Sequence, residues 1–177
     1  MTLQEIIDMD KKYYMNVYGD RNPVCFKYGK GIKLWDLNDK IYYDFLGGIA
    51  VNALGHCHPK LVEALKSQLD KFIHTSNLYY IESQAKLAKA LTELSCADKV
   101  FFCNSGAEAN EGAIKLAKIH YKKKGLDNKY EIITLKNSFH GRTLTTVAAT
   151  GQEKFQKPYQ PLTPGFKHVV TNDFEAL

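Results

Sequence analysis

Long apolar runs are missing from this 177-residue sequence. No stretch approaches the roughly 20 apolar residues that cross a bilayer. Residues 1–10 are acidic and helical in pattern, and they lack the basic start and apolar segment of a secretory signal. We therefore expect a protein of the cytoplasm without a membrane segment. No C-x-x-C pair occurs either, so the isolated cysteines are expected to be free thiols in a reducing compartment: Cys25, Cys57, Cys96 and Cys103.

A strong charge of one sign is also missing, because 24 basic residues face 19 acidic ones. The only run of three basic residues is Lys122–Lys124, at the expected end of a helix, where it complements the helix dipole. Aromatic residues do not alternate with basic ones along any strand, so no nucleic-acid partner is predicted. His56-Cys57-His58 suggests a metal, but no second ligand pair lies at a useful spacing, so no metal site is predicted.

The first 52 residues have the pattern of a small helix-and-strand element. Apolar residues lie near one face of a helix over 1–18. Three strand-like segments follow at 24–28, 32–36 and 41–45, separated by turn residues. This spacing predicts an antiparallel meander, which we assign to a first domain over residues 1–52.

Helix and strand patterns alternate over residues 53–177, which we assign to a second domain. Pro59 is expected at the first position of a helix. The remaining predicted elements are helices 82–94 and 107–123, strands 99–103, 130–135 and 168–170, a strand or helix at 144–149, and an extended loop at 152–165. This order predicts an α/β fold with a mostly parallel sheet. Residues 173–177 resemble a first helical turn capped by Asn172 or Asp173, so we expect a truncated chain.

Ser105-Gly106-Ala107, here called the phosphate grip, joins a predicted strand to a predicted helix. Gly106 lets the backbone approach a ligand, and a helix start offers unpaired N–H groups that suit a phosphate. The Ser105 hydroxyl can add a further donor. Ser105 and Glu108 also form the pattern of a capping box, which needs no ligand. A position at the carboxyl end of a sheet strand favours the ligand.

A second candidate site follows the next predicted strand, at residues 136–143. Phe139 can stack on a planar ring, and Arg142 can hold a carboxylate through two parallel hydrogen bonds. The alternative for Arg142 is a surface ion pair with an aspartate. His140 fits either a histidine packed under the loop or a catalytic one.

Taken together, several stretches resemble the class III, or subgroup II, aminotransferases, which have the fold type I of pyridoxal-phosphate-dependent transferases. The stretches that carry the resemblance are Gly29–Gly31 with Leu34–Asp36, Asp44–Asn52, Gly55–Pro59, Phe101–Asn110, and Asn137–Arg142 with Ala149–Gln152. The resemblance runs in order along nearly the whole chain. The resemblance implies the amino-terminal meander of the small domain followed by the first part of the large domain.

The resemblance also implies a role for individual residues. Ser105, Gly106 and Ala107 would bind the phosphate of pyridoxal 5'-phosphate, and Phe139 would stack on its ring. Arg142 would hold the substrate carboxylate. Tyr18 and Ile49 would line the side-chain end of the pocket, although Gly19–Asn22 looks one residue longer than usual. Thr75–Asn77 would lie near the interface of a homodimer with shared active sites.

The implied reaction moves an amino group from N2-acetyl-L-ornithine to 2-oxoglutarate, in arginine biosynthesis. Ile49 favours an acylated amine, because relatives that use ornithine are expected to carry a tyrosine there. Succinylornithine, ornithine and 4-aminobutyrate are the alternative donors. The catalytic lysine that forms a Schiff base with the cofactor is expected beyond Leu177, so this chain alone is predicted to be inactive. A phosphate-ligand binding module without catalysis is the alternative of another class.

Overall fold

A computed structural model describes residues 1–177, which divide into two compact units, Met1–Tyr80 and Ile81–Leu177. The predicted domain boundary between residues 52 and 53 refers to the domains of the family and stays a prediction. None of the helices combines the length and the apolar character needed to cross a bilayer.

Unit 1 begins with helix α1 (Leu3–Tyr13), capped by a reciprocal pair of hydrogen bonds between Thr2 and Glu5. The helix is shorter than the predicted span 1–18, because Tyr14 already has an extended backbone. The residues that follow, among them Asn16, Gly19 and Asp20, have poor helix propensity. The prediction was right about the helix and wrong about its end.

The predicted meander is confirmed. Strands β1 (Phe26–Lys30), β2 (Lys33–Asp36) and β3 (Ile41–Tyr43) pair antiparallel in the order β1-β2-β3. The turn between β2 and β3 is held by Asp36, whose Oδ1 accepts from the backbone N–H of Asn38 at 2.8 Å and of Lys40 at 3.0 Å. Burial raises the pKa of Asp36, but these two hydrogen bonds, a third from the Tyr42 hydroxyl and the charge of Lys40 together lower it from its ordinary value.

A left-handed turn, α2 (Gly47–Ala50), follows the meander. All four residues have positive φ, from 57° at Gly47 to 65° at Gly48, with Ile49 at 61° and Ala50 at 62°. The conformation costs glycine little, but it costs roughly 1–2 kcal/mol for each residue with a Cβ atom. Helix α3 (Pro59–Leu69) then starts with Pro59 in its first turn, as predicted.

Unit 2 is built on two parallel strands and a short buried helix. Its elements are α4 (Glu82–Glu93), α5 (Gly106–Lys123), β4 (Ile132–Leu135), α6 (Leu144–Ala149), α7 (Glu153–Gln156), a 3-10 turn (Lys157–Tyr159) and β5 (Phe166–Val169). Strands β4 and β5 pair parallel over their whole length, which confirms the predicted direction. The most buried residues of this unit lie in α6 or next to it: Ile114, Thr134, Thr146, Val147, Ala148, Ala149 and Thr150.

The predicted strand at 99–103 is not formed. A strand needs a partner for its backbone hydrogen bonds, and this segment pairs with neither β4 nor β5. Phe101 instead lies against α5, where a Cβ atom added to Gly112 would come within 3.0 Å of its ring. The phosphate grip therefore follows an irregular segment.

Two further predictions need correction. Residues 152–165 are not one extended loop, since α7 and the 3-10 turn occupy their first half. Pro158 is compatible with that turn because its first positions need no N–H donor. Residues 173–177 form a turn and not a helix, although Asp173 Oδ1 accepts from Ala176 N at 3.2 Å, as a helix cap does. The ambiguous segment 144–149 is helix α6.

Candidate active site

The start of α5 carries two backbone donors without an acceptor. Ser105 has an extended backbone, and its Oγ accepts from Glu108 N at 3.2 Å. The first bond along the helix runs from Ala109 N to Ser105 O at 3.0 Å. The N–H groups of Gly106 and Ala107 lie before that bond and meet no protein acceptor. They are the two donors that the sequence assigned to the phosphate.

The expected capping box is only half formed. The Glu108 carboxylate accepts from the backbone N–H of Asn104 at 2.7 Å, one residue before the cap, and also from Asn104 Nδ2 at 3.1 Å. A complete box would place this carboxylate on Ser105 N. Because Ser105 Oγ only accepts here, its hydroxyl hydrogen is available to a ligand. The grip thus keeps three potential donors.

The segment Ser138–Arg142, here called the site loop, packs directly on the phosphate grip. Gly141 is buried and has a φ of 136°, and a Cβ atom added there would lie 2.7 Å from Ala107 Cβ. The Asn110 amide also donates to His140 O at 2.7 Å. The structure therefore brings together the two sites that the sequence predicted separately.

Arg142 stacks on aromatic rings and forms no ion pair. Its guanidinium carbon lies 4.2 Å from the centre of the Phe155 ring and 5.5 Å from that of Phe139. The alternative of a surface pair with an aspartate is not formed in this structure, because no carboxylate oxygen lies within 4.0 Å of the guanidinium. Phe139 is 57% exposed and meets Phe155 edge-to-face at 6.3 Å, so a ring face is open to a ligand.

Hydrogen bonds with residues 150–152, which follow α6, hold the site loop in place. His140 N donates to Thr150 Oγ1 at 3.0 Å, and Gln152 Nε2 donates to Ser138 O at 3.0 Å. Gly151 N donates to Ser138 Oγ at 3.3 Å. Ser138 Oγ also lies 3.3 Å from His140 Nδ1, which favours the packed histidine over a catalytic one. Residues 149–152 carry part of the family resemblance, but no signal in the sequence indicates their contact with this loop.

Tyr18 and Ile49, the two predicted pocket residues of unit 1, are both exposed, at 73% and 81%. Their role in a pocket stays a prediction. Asp44 holds the left-handed turn that carries Ile49, because its Oδ1 accepts from Leu46 N at 3.0 Å and from Gly47 N at 2.8 Å. The other oxygen of Asp44 lies 2.7 Å from His56 Nε2.

The Asp44–His56 pair is a feature that sequence reasoning missed. The bond with His56, followed by the bond from Gly47 N, lowers the pKa of Asp44 from its ordinary value. His56 also exchanges two backbone hydrogen bonds of 2.8 Å with Gly31, which tie it to the meander. His56, one of the two histidines in His56-Cys57-His58, thus has a carboxylate partner and a fixed backbone.

A family model described as aminotransferase class-III matches residues 14–177. The chain therefore belongs to the class III aminotransferases. Pyridoxal phosphate is the cofactor of this class, and a solved structure of the Toxoplasma gondii ornithine aminotransferase has it at partial occupancy in the active site.

Curated relatives agree over the whole chain. It is 55% identical over 177 residues to the acetylornithine aminotransferase of Methanocaldococcus jannaschii, and 54% identical over 172 residues to that of Caldanaerobacter subterraneus subsp. tengcongensis. The matches cover 100% and 97% of this chain, but only 44% of each relative. The chain thus spans less than half the length of these proteins.

Solved structures show the same fold. The ornithine aminotransferase of Toxoplasma gondii ME49 superposes with a TM-score of 0.89 at 31% identity, over 98% of this chain and 41% of that one. An omega-transaminase from Thermomicrobium roseum gives 0.87 at 27% identity, over 96% and 40%. The fold is thus a part of fold type I of the pyridoxal-phosphate-dependent transferases, as predicted.

Proposed function

We propose that this chain supplies the phosphate grip and the carboxylate-binding arginine of an aminotransferase that acts on N2-acetyl-L-ornithine and 2-oxoglutarate in arginine biosynthesis. The observation that carries the proposal is the contact of Gly141 with Ala107. This contact packs the site loop, which carries Arg142 and the open ring face of Phe139, against the phosphate grip with its two free backbone N–H groups.

The residues present fit pyridoxal phosphate. Gly106 N, Ala107 N and the Ser105 hydroxyl offer donors to a phosphate at the positive end of an 18-residue helix. Glu108 is held on Asn104, which keeps its carboxylate bonded outside this set of donors. Phe139 supplies an apolar face for a planar ring. When bound, the cofactor serves as an electron sink, and the protein contributes binding and orientation.

Arg142 is suited to the carboxylate that amino donor and 2-oxoglutarate share. A guanidinium binds a carboxylate through two parallel hydrogen bonds, and stacking on Phe155 leaves its edge N–H groups free to do so. Lys154 Nζ also lies over the Phe155 ring, 4.8 Å from its centre, but an ammonium group cannot offer two parallel hydrogen bonds to a carboxylate. One arginine can therefore receive both substrates in turn.

The choice of amino donor rests on Ile49 and on the relatives. An aliphatic side chain suits a neutral acylated amine better than a free distal ammonium group, since it offers that group no hydrogen bond. The curated relatives at 46–55% identity are named acetylornithine aminotransferases. We rank succinylornithine next, ahead of ornithine and 4-aminobutyrate.

The proposal includes a homodimer in the cytoplasm. Four free cysteines fit a reducing compartment. Thr75–Asn77 and its exposed apolar neighbours, Leu78 to Tyr80, are the segment that we assign to the interface between subunits.

Replacement of Arg142 tests the function in the full-length protein. Arg142→Ala should lower kcat/KM for both N2-acetylornithine and 2-oxoglutarate, since the carboxylate loses a charged, bidentate partner. The expected loss corresponds to about 2–4 kcal/mol of transition-state stabilisation. Lys154→Ala, which removes another cation from the same ring, is the matched control and should change kcat/KM little.

Equal, small effects of the two substitutions would remove Arg142 from the carboxylate role. Binding of pyridoxal phosphate without any amino transfer by the wild-type protein would favour the non-catalytic binding module instead.

A further inference from the structure

His168 on β5 has a hydrogen-bond partner at both ring nitrogens. Its Nδ1 lies 2.8 Å from the hydroxyl of Thr134 on β4, and its Nε2 lies 3.1 Å from Gln156 Nε2 on α7. The two strands pair at this position, with Thr134 opposite His168.

The first partner determines which nitrogen carries the proton. The Thr134 hydroxyl donates to the carbonyl oxygen of Ala149 at 2.8 Å. A hydroxyl has one hydrogen, so toward His168 it can only accept. His168 must therefore donate from Nδ1.

The second partner gives the same assignment independently. Gln156 Nε2 donates to Thr150 O at 2.8 Å and lies 3.2 Å from Ala148 O, so the two carbonyl groups fix the amide orientation. One amide hydrogen of Gln156 goes to Thr150 O, and the other is shared between Ala148 O and His168 Nε2, so Nε2 faces a donor and accepts. Only the neutral imidazole with its proton on Nδ1 places an acceptor, and no hydrogen, against the Gln156 amide.

We propose that His168 is a positioning residue, which in its neutral Nδ1–H form holds the site loop in place through Gln156 and Thr150. The link to the loop is short. Gln156 binds Thr150 O, and Thr150 Oγ1 donates to Thr146 O at 2.8 Å while it accepts from His140 N. Thr150 is completely buried, so it has no water to replace a lost partner. The functional part of this inference rests on the proposed role of Arg142.

Protonation of His168 would break the arrangement, because Nε2–H would then point at the N–H of Gln156. Burial lowers the pKa of His168, the backbone of Ala148 opposes this, and the nearby positive charges of His140 and Lys136 lower it further. Thr134 and Gln156, the other groups that face the ring, carry no charge. We expect the loop to loosen as the pH falls below 6.5, the ordinary value for histidine.

The first test does not depend on catalysis. In the full-length protein labelled with 15N at histidine, the His168 signals at pH 7 should show a protonated Nδ1 and an unprotonated Nε2. The protection factor of the His140 amide, which compares its exchange rate with that of the unfolded chain at the same pH, should be high at pH 7.5, lower at pH 5.5, and low at both in His168→Asn. Asparagine keeps the donor toward Thr134 and lacks an acceptor for Gln156. His120→Asn, at an exposed histidine of the same unit, should exchange like the wild type.

The second test measures steady-state kinetics of amino transfer between pH 5.5 and 8.5. His168→Asn should raise KM for 2-oxoglutarate about tenfold at pH 8 with a smaller change in kcat, because a displaced Arg142 binds the carboxylate poorly. The rise of KM that we expect at acidic pH in the wild type should be absent from this variant.

A proton on Nε2 at pH 7, or wild-type exchange at His140 in His168→Asn, would refute the positioning role whatever the activity. Wild-type KM values in that variant would also refute it. Absence of amino transfer in the wild type would count against the proposed function alone.

Discussion

The left-handed turn at Gly47–Ala50 and the site loop at Ser138–Arg142 are both irregular segments that present a predicted ligand-binding side chain, but they are held in opposite ways. The turn lies at the surface, and one ionisable pair, Asp44 with His56, supports it. The site loop lies on a buried set of neutral hydrogen bonds around Thr150. The turn therefore tolerates added volume but stores backbone strain, whereas the site loop has no room.

Glycine substitutions give the largest expected difference between the two segments. Gly141→Ala would place a Cβ atom 2.6 Å from Thr146 Oγ1 and 2.7 Å from Ala107 Cβ, and should destabilise the protein by about 3 kcal/mol. Gly47→Ala meets no atom within 4 Å and should cost only about 1 kcal/mol, from its positive φ. Urea unfolding of the full-length variants checks both values. Equal losses would show that space does not distinguish the segments.

Relief of strain in the turn gives a smaller effect of opposite sign. Ile49→Gly removes a Cβ penalty of roughly 1–2 kcal/mol and adds about 0.4–1 kcal/mol of chain entropy to the unfolded state. The net expectation is a stabilisation of about 0.5–1 kcal/mol, since the exposed side chain buries little.

Ala50→Gly, one residue further along at a φ of 62°, is the matched control and should stabilise similarly. Only Ile49→Gly should also raise KM for N2-acetylornithine. Destabilisation by both variants would mean that the turn is unstrained.

The smallest expected effect is a difference in how the stability of the two segments depends on pH. The Asp44–His56 pair supports the turn, and the hydrogen bonds of His168 and Thr150 support the site loop. Both groups have a lowered pKa in the folded state, His168 chiefly by burial and Asp44 chiefly by its bond with His56. In each case the unfolded chain takes up the proton first, so stability falls as the pH drops. The loss should begin near pH 6.5 for His168 and near pH 3.8 for Asp44.

Peptide-resolved amide exchange between pH 3 and 8, expressed as protection factors relative to the unfolded chain at each pH, separates the two segments. His168→Asn should flatten the upper transition in the site loop, and Asp44→Asn the lower transition in the turn. A single transition common to both segments would contradict separate supports.

The elements that sequence predicted correctly are those with local signals. Pro59 marks the start of α3, Ser105 caps α5, and the turns at Gly31 and after Asp36 separate the strands of the meander, although β1 extends two residues further than predicted. The strand at 99–103 failed because apolar residues alone do not supply a hydrogen-bonding partner. Whether such a partner strand is present depends on distant parts of the chain.

The residues of the candidate site also divide into those with a local sequence signal and those without one. Phe139 and Arg142 came from a short motif and a family resemblance. Phe155 was missed because its segment, rich in proline, was predicted to be extended, which hid its return to Arg142. His168 meets Thr134 across 34 residues, and no local pattern indicates such a contact.

The bond between Glu108 and Asn104 has a practical consequence. Because that carboxylate is engaged one residue before the cap, the grip accepts an anion without first displacing an internal acid. Inorganic phosphate and sulfate meet the same two donors, so we expect them to compete with the cofactor. The choice of buffer during purification would then decide how much of the protein is recovered loaded.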